Sequence, residues 1–223
     1  MPLNSVGPVR CCNGGMDVVP NTRAEPLLLT ARLRLVAADE HLAAALAEFH
    51  DRNRAHLAPW DPPSSDDFYT EATQAHRLRE AAAAFASGTG HRYLMQPIGD
   101  PSRVIGSINF SNIVRGAFQS CSLGYALDQA FEGQALMTEA LRCAIAEMFS
   151  PHVNLHRIQA AYRPENWRSA EVLKRLGFQD EGLAPDYLFI DNQWRVHRIA
   201  ALLNKGFVTP TVWSPGEGSG PRH

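Results

Sequence analysis

The sequence carries little net charge, no long apolar run and no ordered pattern of cysteine or histidine. Lys and Arg number 21 against 23 Asp and Glu, leaving a net charge of −2. No global field therefore draws the chain onto DNA, RNA or anionic lipid, and no basic stripe supports such binding. Apolar stretches are broken every few residues, which excludes a helical membrane span, and the N-terminus has no apolar signal-peptide core. Four cysteines are too few and too irregular for a disulfide framework: Cys11 and Cys12 are adjacent, while Cys121 and Cys143 read as small core hydrophobes. No pair has zinc-ligand spacing and the nine histidines are scattered, so no metal is expected. What remains is an ordinary globular composition, 45% hydrophobic and 20% charged, over 223 residues. These features point to a cytoplasmic protein with one good core.

Residues 1–25 are rich in Pro, Gly, Asn and Val without helical or strand period, and read as a flexible extension in which Met16 is a second candidate start. Residues 26–207 form one continuous domain, and 208–223 a Gly/Pro-rich tail. Within the domain, 33–36 alternates as a strand, and Asp39 caps a helix to about 54, with Leu42, Leu46 and Phe49 on one face. A second helix runs from about 67 to 87, then strands near 92–97, 104–114 and 119–127. A helix from about Gly133, a strand at 157–162, a helix at 166–176 stopped by Gly177, and strands at 186–190 and 194–203 complete the order. The pattern β-α-α-β-β-β-α-β-α-β-β is an α+β fold, antiparallel early with a parallel crossover later.

Residues 121–149 are the most informative. An apolar strand (Leu123, Tyr125, Leu127) leads through a short loop into an amphipathic helix, with Gly133 at the expected helix start. Backbone N–H groups there lack intrahelical partners, and with the helix dipole they favour an anion such as a diphosphate. Alone, the loop is equally an ordinary strand-to-helix turn in which Glu132 favours the helix N-terminus. A second constellation, Asn166 and Ser169, lies three residues apart at a helix start and shares a face; alone, Asn166 is equally a simple N-cap.

Together, the loop, the Asn166–Ser169 helix start and the LGF run at 176–178 resemble the GNAT N-acetyltransferase superfamily. Further runs are similar to its RimJ branch, the ribosomal-protein-alanine N-acetyltransferases: IGSIN at 105–109, FSNIVRGAF at 110–118, LGY at 123–125, HRI at 156–158, DYL at 186–188 and QWR at 193–195. Pro59 and Trp60, followed by Asp61, match an early element of that branch, and the similarity covers about residues 28–203. The resemblance implies a GNAT fold, with a mixed central sheet of about seven strands, a splayed parallel pair and about four flanking helices. It also implies acetyl-CoA as co-substrate, held by Tyr125, Ala126, Leu127, Glu132, Gly133, Gln134, Ala135, Leu136, Met137, Thr138, Asn166 and Ser169. A backbone N–H near Tyr125–Leu127 would polarise the thioester carbonyl. The attacking group would be a protein α-amine, whose pKa of about 7.7–8.0 leaves much of it neutral near pH 7.

By the same resemblance Ser169 would protonate the departing thiolate. Leu188 occupies the position of the base in the sister RimL-type enzymes, and Ala161 that of the glutamate in another branch, so neither carries a proton here. Asp186, or alternatively Asp61, is then the expected base through water, and Tyr125 is expected as a wall residue. The loop departs from the usual Gln/Arg-Gly-x-Gly at Glu132 and Ala135. The expected acceptor is the N-terminal alanine or serine of a ribosomal protein, with contact to a pre-ribosome. The alternatives are acetylation of a small amine (an antibiotic or polyamine) and a non-catalytic CoA-binding ribosome-assembly factor. A monomer and a homodimer are both compatible. Arg163, Arg168, Lys174 and Arg175 around the Asn166 helix read first as a solvated face, and second as a contact for the CoA 3′-phosphate or rRNA.

Overall fold

A computed structural model of the chain describes Val9–Arg10 and residues 27–213. The strands are β1 (Val9–Arg10), β2 (Leu27–Leu29), β3 (Leu33–Ala37), β4 (His91–Pro97), β5 (Gly106–Val114), β6 (Ser120–Leu127), β7 (Arg157–Tyr162), β8 (Gln179–Ile190) and β9 (Gln193–Leu203). The helices are α1 (Ala43–Arg52), α2 (Arg54–Leu57), α3 (Glu71–Ser87), α4 (Leu136–Met148) and α5 (Trp167–Arg175). All nine strands form one sheet in the order β1-β2-β3-β4-β5-β6-β7-β9-β8. The β2–β6 meander is antiparallel, β6 and β7 are parallel, and β9 returns antiparallel between β7 and β8.

The sheet separates two cores, because successive strand residues face opposite sides. On β4, Tyr93 and Met95 join α4, while Leu94 between them joins α1 and α3. On β3 the same alternation sends Leu33 and Leu35 to the α4 side and Val36 to the other. Helix α4 packs Met137, Leu141, Ala144, Ile145 and Met148 against the sheet, at the three- and four-residue spacing of one helix face. Against the opposite face lie Leu46, Phe49 and Leu78, each fully buried, and each contributing about 1.5–3 kcal/mol by burial.

Against the expected count of about seven strands, nine are found among the described residues. Strand β2 and the two-residue β1 add to the edge, Val9 and Arg10 pairing in parallel with Leu28 and Leu29. They are too short to show a period, and β1 falls within the extension expected to be structureless. The other residues of 1–25, and the tail from 214, lie outside the described residues. Residue 208 is tied to the body: Asn154 exchanges hydrogen bonds of 2.8 and 3.1 Å with the Val208 backbone. The expected helix at 39–54 is divided at Asn53, so α-helices number five, α2 being one turn. Strand β8 starts at Gln179 rather than 186, because register shifts at Asp180/Gly182 and Ala184/Leu188 break its alternation. Cys121 is free and buried. Cys143 is disulfide-bonded, not the plain core hydrophobe expected.

One buried charge ties the layers together where β6 ends. Asp128 is 2% exposed in its side chain, and accepts from Arg52 Nε at 2.8 Å and from the Ala130 N–H at 3.0 Å. Arg52 also donates to the Val104 carbonyl at 3.0 Å, so the end of α1 is clamped to β6 and to the residues before β5. Burial alone would raise the Asp128 pKa, but the bonds from Arg52, Ala130 and Asn53 and the Arg52 charge together hold it below the aspartate norm. Its stabilisation is therefore present above the ordinary pKa of about 3.9 and lost as pH falls through the lowered value. Asp128→Ala is expected to cost about 2–3 kcal/mol at pH 7. In urea unfolding, the gap between variant and wild type should close below about pH 4.

Candidate active site

Strands β6 and β7 pair only from Ser120 with Arg157 to Leu123 with Ala160. Beyond that point β7 stays with β9, as Tyr162 pairs with Arg198, and β6 stays with β5, as Leu127 pairs with Gly106. The two strands therefore part. Asp128 N–H donates to the Ile105 carbonyl at 2.8 Å, which fixes the ladder phase. In that phase Ala126 bonds towards β5, while Tyr125 and Leu127 turn their N–H groups into the opening. Gly106 permits the close approach of β5 beneath this segment, since a Cβ there would lie 2.7 Å from the Ala126 carbonyl oxygen.

The chain leaves the opening through Asp128 and one tight turn, Gln129–Phe131, and enters α4 at Leu136. The helix starts three residues after Gly133 because both Gly133 (φ 72°) and Ala135 (φ 58°) are left-handed. Nothing within 4 Å would meet a Cβ on Gly133, so the glycine serves conformation, not space. Among the described residues, the N–H groups of residues 133–138 donate to no protein acceptor; the first helical bond runs from the Glu139 N–H to the Ala135 carbonyl at 3.0 Å. The Thr138 hydroxyl is buried without a partner. A row of free amides, a helix N-terminus and an orphaned hydroxyl form a cradle that fits a diphosphate.

Two ties hold the cradle. Glu139 accepts from Thr30 Oγ1 at 2.6 Å and from the Arg32 N–H at 3.0 Å, and pairs with Arg32 Nη2 at 2.6 Å. Burial would raise its pKa, but these donors and the Arg32 charge hold it below the glutamate norm. Arg32 Nη2 also reaches the Gln134 carbonyl at 3.1 Å, fixing the loop itself. Glu132 is braced as well, by His56 on α2 at 3.4 Å and Arg168 on α5 at 3.3 Å. Its carboxylate is thus shared between His56 and Arg168.

Helix α5 closes the other side. Asn166 accepts from the Ser169 N–H at 3.1 Å, so it does act as an N-cap. That cap sets the first turn so that Ser169 Oγ lies 2.7 Å from the Tyr125 hydroxyl. Burial lifts the Tyr125 phenol above the tyrosine norm, the Ser169 bond opposing this and Tyr162 adding to it. The Tyr125 phenol is thus a hydrogen-bond partner to Ser169 across the opening. Cys121 offers no thiolate nearby, since burial pushes it up to about 12.

Asp61 lines a pocket of about 250 Å³ between α1, α2, the 58–69 segment and the turn of the β8–β9 hairpin. That turn, Asp191 and Asn192, has φ values of 52° and 56°, the conformation a two-residue hairpin needs. Asp61 is exposed as a residue, yet desolvation of its carboxyl pushes its pKa up to about 6, and the charge of His56 opposes the rise. Arg163, following β7, donates to the Pro59 carbonyl at 2.7 Å and sits 5.5 Å over the Trp60 ring. The Asp61 loop is thereby anchored to the strand that opens away from β6. Asp186 is placed in the β8 irregularity with φ 48°, exposed, and lines neither this pocket nor the Ser169–Tyr125 pair.

The structure therefore brings Tyr125, Asn166 and Ser169 together and sets Glu132 beside them through Arg168, while Asp186 stands exposed in the β8 irregularity. Of the four basic residues around α5, Arg163 and Arg168 are engaged as described, Arg175 pairs with Glu171 at 3.6 Å, and Lys174 is exposed. His50 lines the Asp61 pocket and His56 braces Glu132, and neither belongs to a sequence motif. His50 had one signal, a histidine on the apolar stripe of α1 with Leu46 and Phe49.

A family model described as an acetyltransferase (GNAT) domain matches residues 32–179. The chain belongs to the GNAT acetyltransferase family. It is 40% identical over 204 residues to the [ribosomal protein uS5]-alanine N-acetyltransferase of Escherichia coli, covering 89% of this chain and 96% of that one. Among solved structures it is similar to the ribosomal-protein-S5-alanine acetyltransferase from Vibrio fischeri, with a TM-score of 0.78 and 32% identity, covering 82% of this chain and 99% of that one. Mycobacterium smegmatis RimJ in complex with CoA-disulfide superposes with a TM-score of 0.72 at 29% identity, over 77% of this chain and 81% of that one. As a GNAT member the protein is an N-acetyltransferase, and the parted β6–β7 pair is the splay expected of that fold.

Two measurements test the loop. Glu132→Gln frees Arg168 for an anion, and should tighten acetyl-CoA binding by about threefold, the scale of one exposed ion pair; an unchanged Kd in calorimetry would make the charge immaterial. Ala135→Gly removes a left-handed alanine and should raise stability by about 0.5–1 kcal/mol. A scanning-calorimetry Tm that fails to rise would remove the strain argument.

Proposed function

We propose that this GNAT enzyme transfers the acetyl group of acetyl-CoA to the α-amine of an N-terminal alanine or serine on a ribosomal protein. The observation carrying the reading is the opening between β6 and β7, with free N–H groups of Tyr125 and Leu127 on one side and the Ser169–Tyr125 hydroxyl pair on the other. The acceptor class is supported by the near end-to-end similarity to the uS5-alanine enzyme. The diphosphate arm would lie on the amides of Gly133, Gln134, Ala135, Leu136, Met137 and Thr138. The pantetheine arm would run along Tyr125, Ala126, Leu127 and Asn166. When bound, acetyl-CoA supplies a thioester acyl carbon.

The residues supply the rest. An N–H of Tyr125 or Leu127 donates to the carbonyl oxygen as negative charge gathers there. Ser169, hydrogen-bonded to the protonated Tyr125 phenol, gives a proton to the leaving thiolate. Asp61, raised to about 6, accepts the amine proton through water. Asp61 is preferred to Asp186, since it lines that pocket and its carboxyl is raised to about 6. That pocket, about 250 Å³, is below the roughly 300–1,000 Å³ of drug-sized ligand sites, so it suits the first residues of a peptide better than an antibiotic. A ribosomal acceptor places the reaction in the cytoplasm; among the described residues no helix is long and apolar enough to cross a membrane.

Thiol release on acetyl-CoA with Ala-starting, Ser-starting and N-blocked, Lys-containing peptides tests the reading. Turnover is expected on free N-termini only; turnover on blocked peptides or polyamines, or none on any amine, would overturn it. Ser169→Ala should lower kcat by about 10²-fold, the lower range for a lost acid catalyst. With Asp61 as base, kcat/KM should rise with pH through about 6 and fall away below it. Asp61→Asn should remove that limb.

A further inference from the structure

Where α1 passes into α2, the chain is fastened to the approach of the amide cradle at three successive points. Arg52 reaches Asp128 at 2.8 Å. Asn53, 2% exposed, accepts the Gln129 N–H on Oδ1 at 3.0 Å and donates from Nδ2 to the Phe49 carbonyl at 2.9 Å. His56 Nε2 then meets Glu132 Oε1 at 3.4 Å. Residues 52, 53 and 56 therefore run beside 128, 129 and 132. The imidazole is brought to Glu132 by backbone that cannot shift without breaking the contacts of Asp128 and Asn53, both buried.

Glu132 immediately precedes Gly133, where the row of free amides begins. A carboxylate at that point opposes a diphosphate by like-charge repulsion unless it is held and compensated. Its two partners differ in how well they do this. The His56 side chain is 14% exposed and that of Arg168 54%. The Arg168 contact is screened by water and salt, and its long side chain is costly to hold still, whereas the His56 contact is sheltered. With its proton on Nε2, His56 presents an N–H to the carboxylate whether the ring is neutral or cationic.

We propose that His56 is a positioning residue for acetyl-CoA: by holding Glu132 it limits the opposition of that carboxylate to the diphosphate. The loop can then carry an acid where glutamine or arginine is usual. This rests on the diphosphate lying on the amides of residues 133–138. His56 acts through Glu132 and not on the reacting atoms, so it sets cofactor affinity and leaves the chemical step alone.

The test is a double-mutant cycle in acetyl-CoA Kd, read by calorimetry on the full chain. His56→Leu keeps a helix-forming residue in α2 and removes the N–H; it should weaken binding about fivefold, the upper range for a partly exposed ion pair. In the Glu132→Gln background the same substitution should change Kd by less than about twofold. His56→Gln, which keeps an N–H donor, should recover most of the affinity. S-acetylpantetheine, which lacks the diphosphate, should bind the wild type and His56→Leu alike. No effect of His56→Leu, an equal loss in both backgrounds, no recovery with His56→Gln, or an equal loss on S-acetylpantetheine would overturn the inference. Gly133→Val forces a β-branched residue into φ 72° and should weaken acetyl-CoA by about tenfold while sparing S-acetylpantetheine. An unchanged Kd there would count against the placement of the diphosphate separately.

Discussion

Between Ser120 and Leu123 strand β6 is hydrogen-bonded on both edges, and from Gly124 onward on one only. A backbone donor left unpaired inside a protein is unfavourable, and such donors are few in folded chains. Here they are kept because each parted strand is held by its outer neighbour, β6 by β5 and β7 by β9. The opening faces the N-termini of α4 and α5, so three sets of unsatisfied or half-satisfied donors converge on one space. The cradle of free amides, the inward Tyr125 and Leu127 N–H groups and the Ser169–Tyr125 pair meet at that single parting of strands.

Charges placed around the opening keep it in shape. Asp128 fastens the end of α1 at the exit of β6, Glu139 fastens the β2–β3 turn to the first turn of α4, and Arg163 fastens the Asp61 loop to β7. Glu132 spans α2 and α5 across the mouth. These ties join elements far apart in sequence, which is how a loop rich in strained residues is held in one geometry. Ala135 and Asp186 both carry positive φ where a glycine would be freer, one at the helix entry and one in the β8 irregularity.

Much of the fold was legible because its periods are strong. The β3–β6 meander and helix α4 alternate or repeat as expected, and Asn166 marks its helix start correctly. The misses have local causes. Strands β1 and β2 are too short to carry a period and exist through pairing with distant partners. The first half of β8 is hidden by two register shifts, and α4 starts late because Ala135 takes a conformation its side chain disfavours. In the site, the loop and the Asn166–Ser169 spacing could be read because they are contiguous. His50 and His56 could not, because no spacing links them to Asp61 or Glu132, and Arg163 was read within the basic cluster around α5 without its tie to the Asp61 loop.

The sequence by itself determined the order of elements, the anion-favouring helix start and the residues able to line it, since each of these depends on neighbours a few positions away. Tertiary structure decided which of those residues meet. Strand pairing set the direction of the Tyr125 and Leu127 amides, helix capping set Ser169 against Tyr125, and the hairpin turn at Asp191 and Asn192 closed a pocket on Asp61 and not on Asp186. Contacts between distant segments depend on how whole layers pack, and desolvation, which lifts Asp61 and silences His50, exists only once those layers have come together.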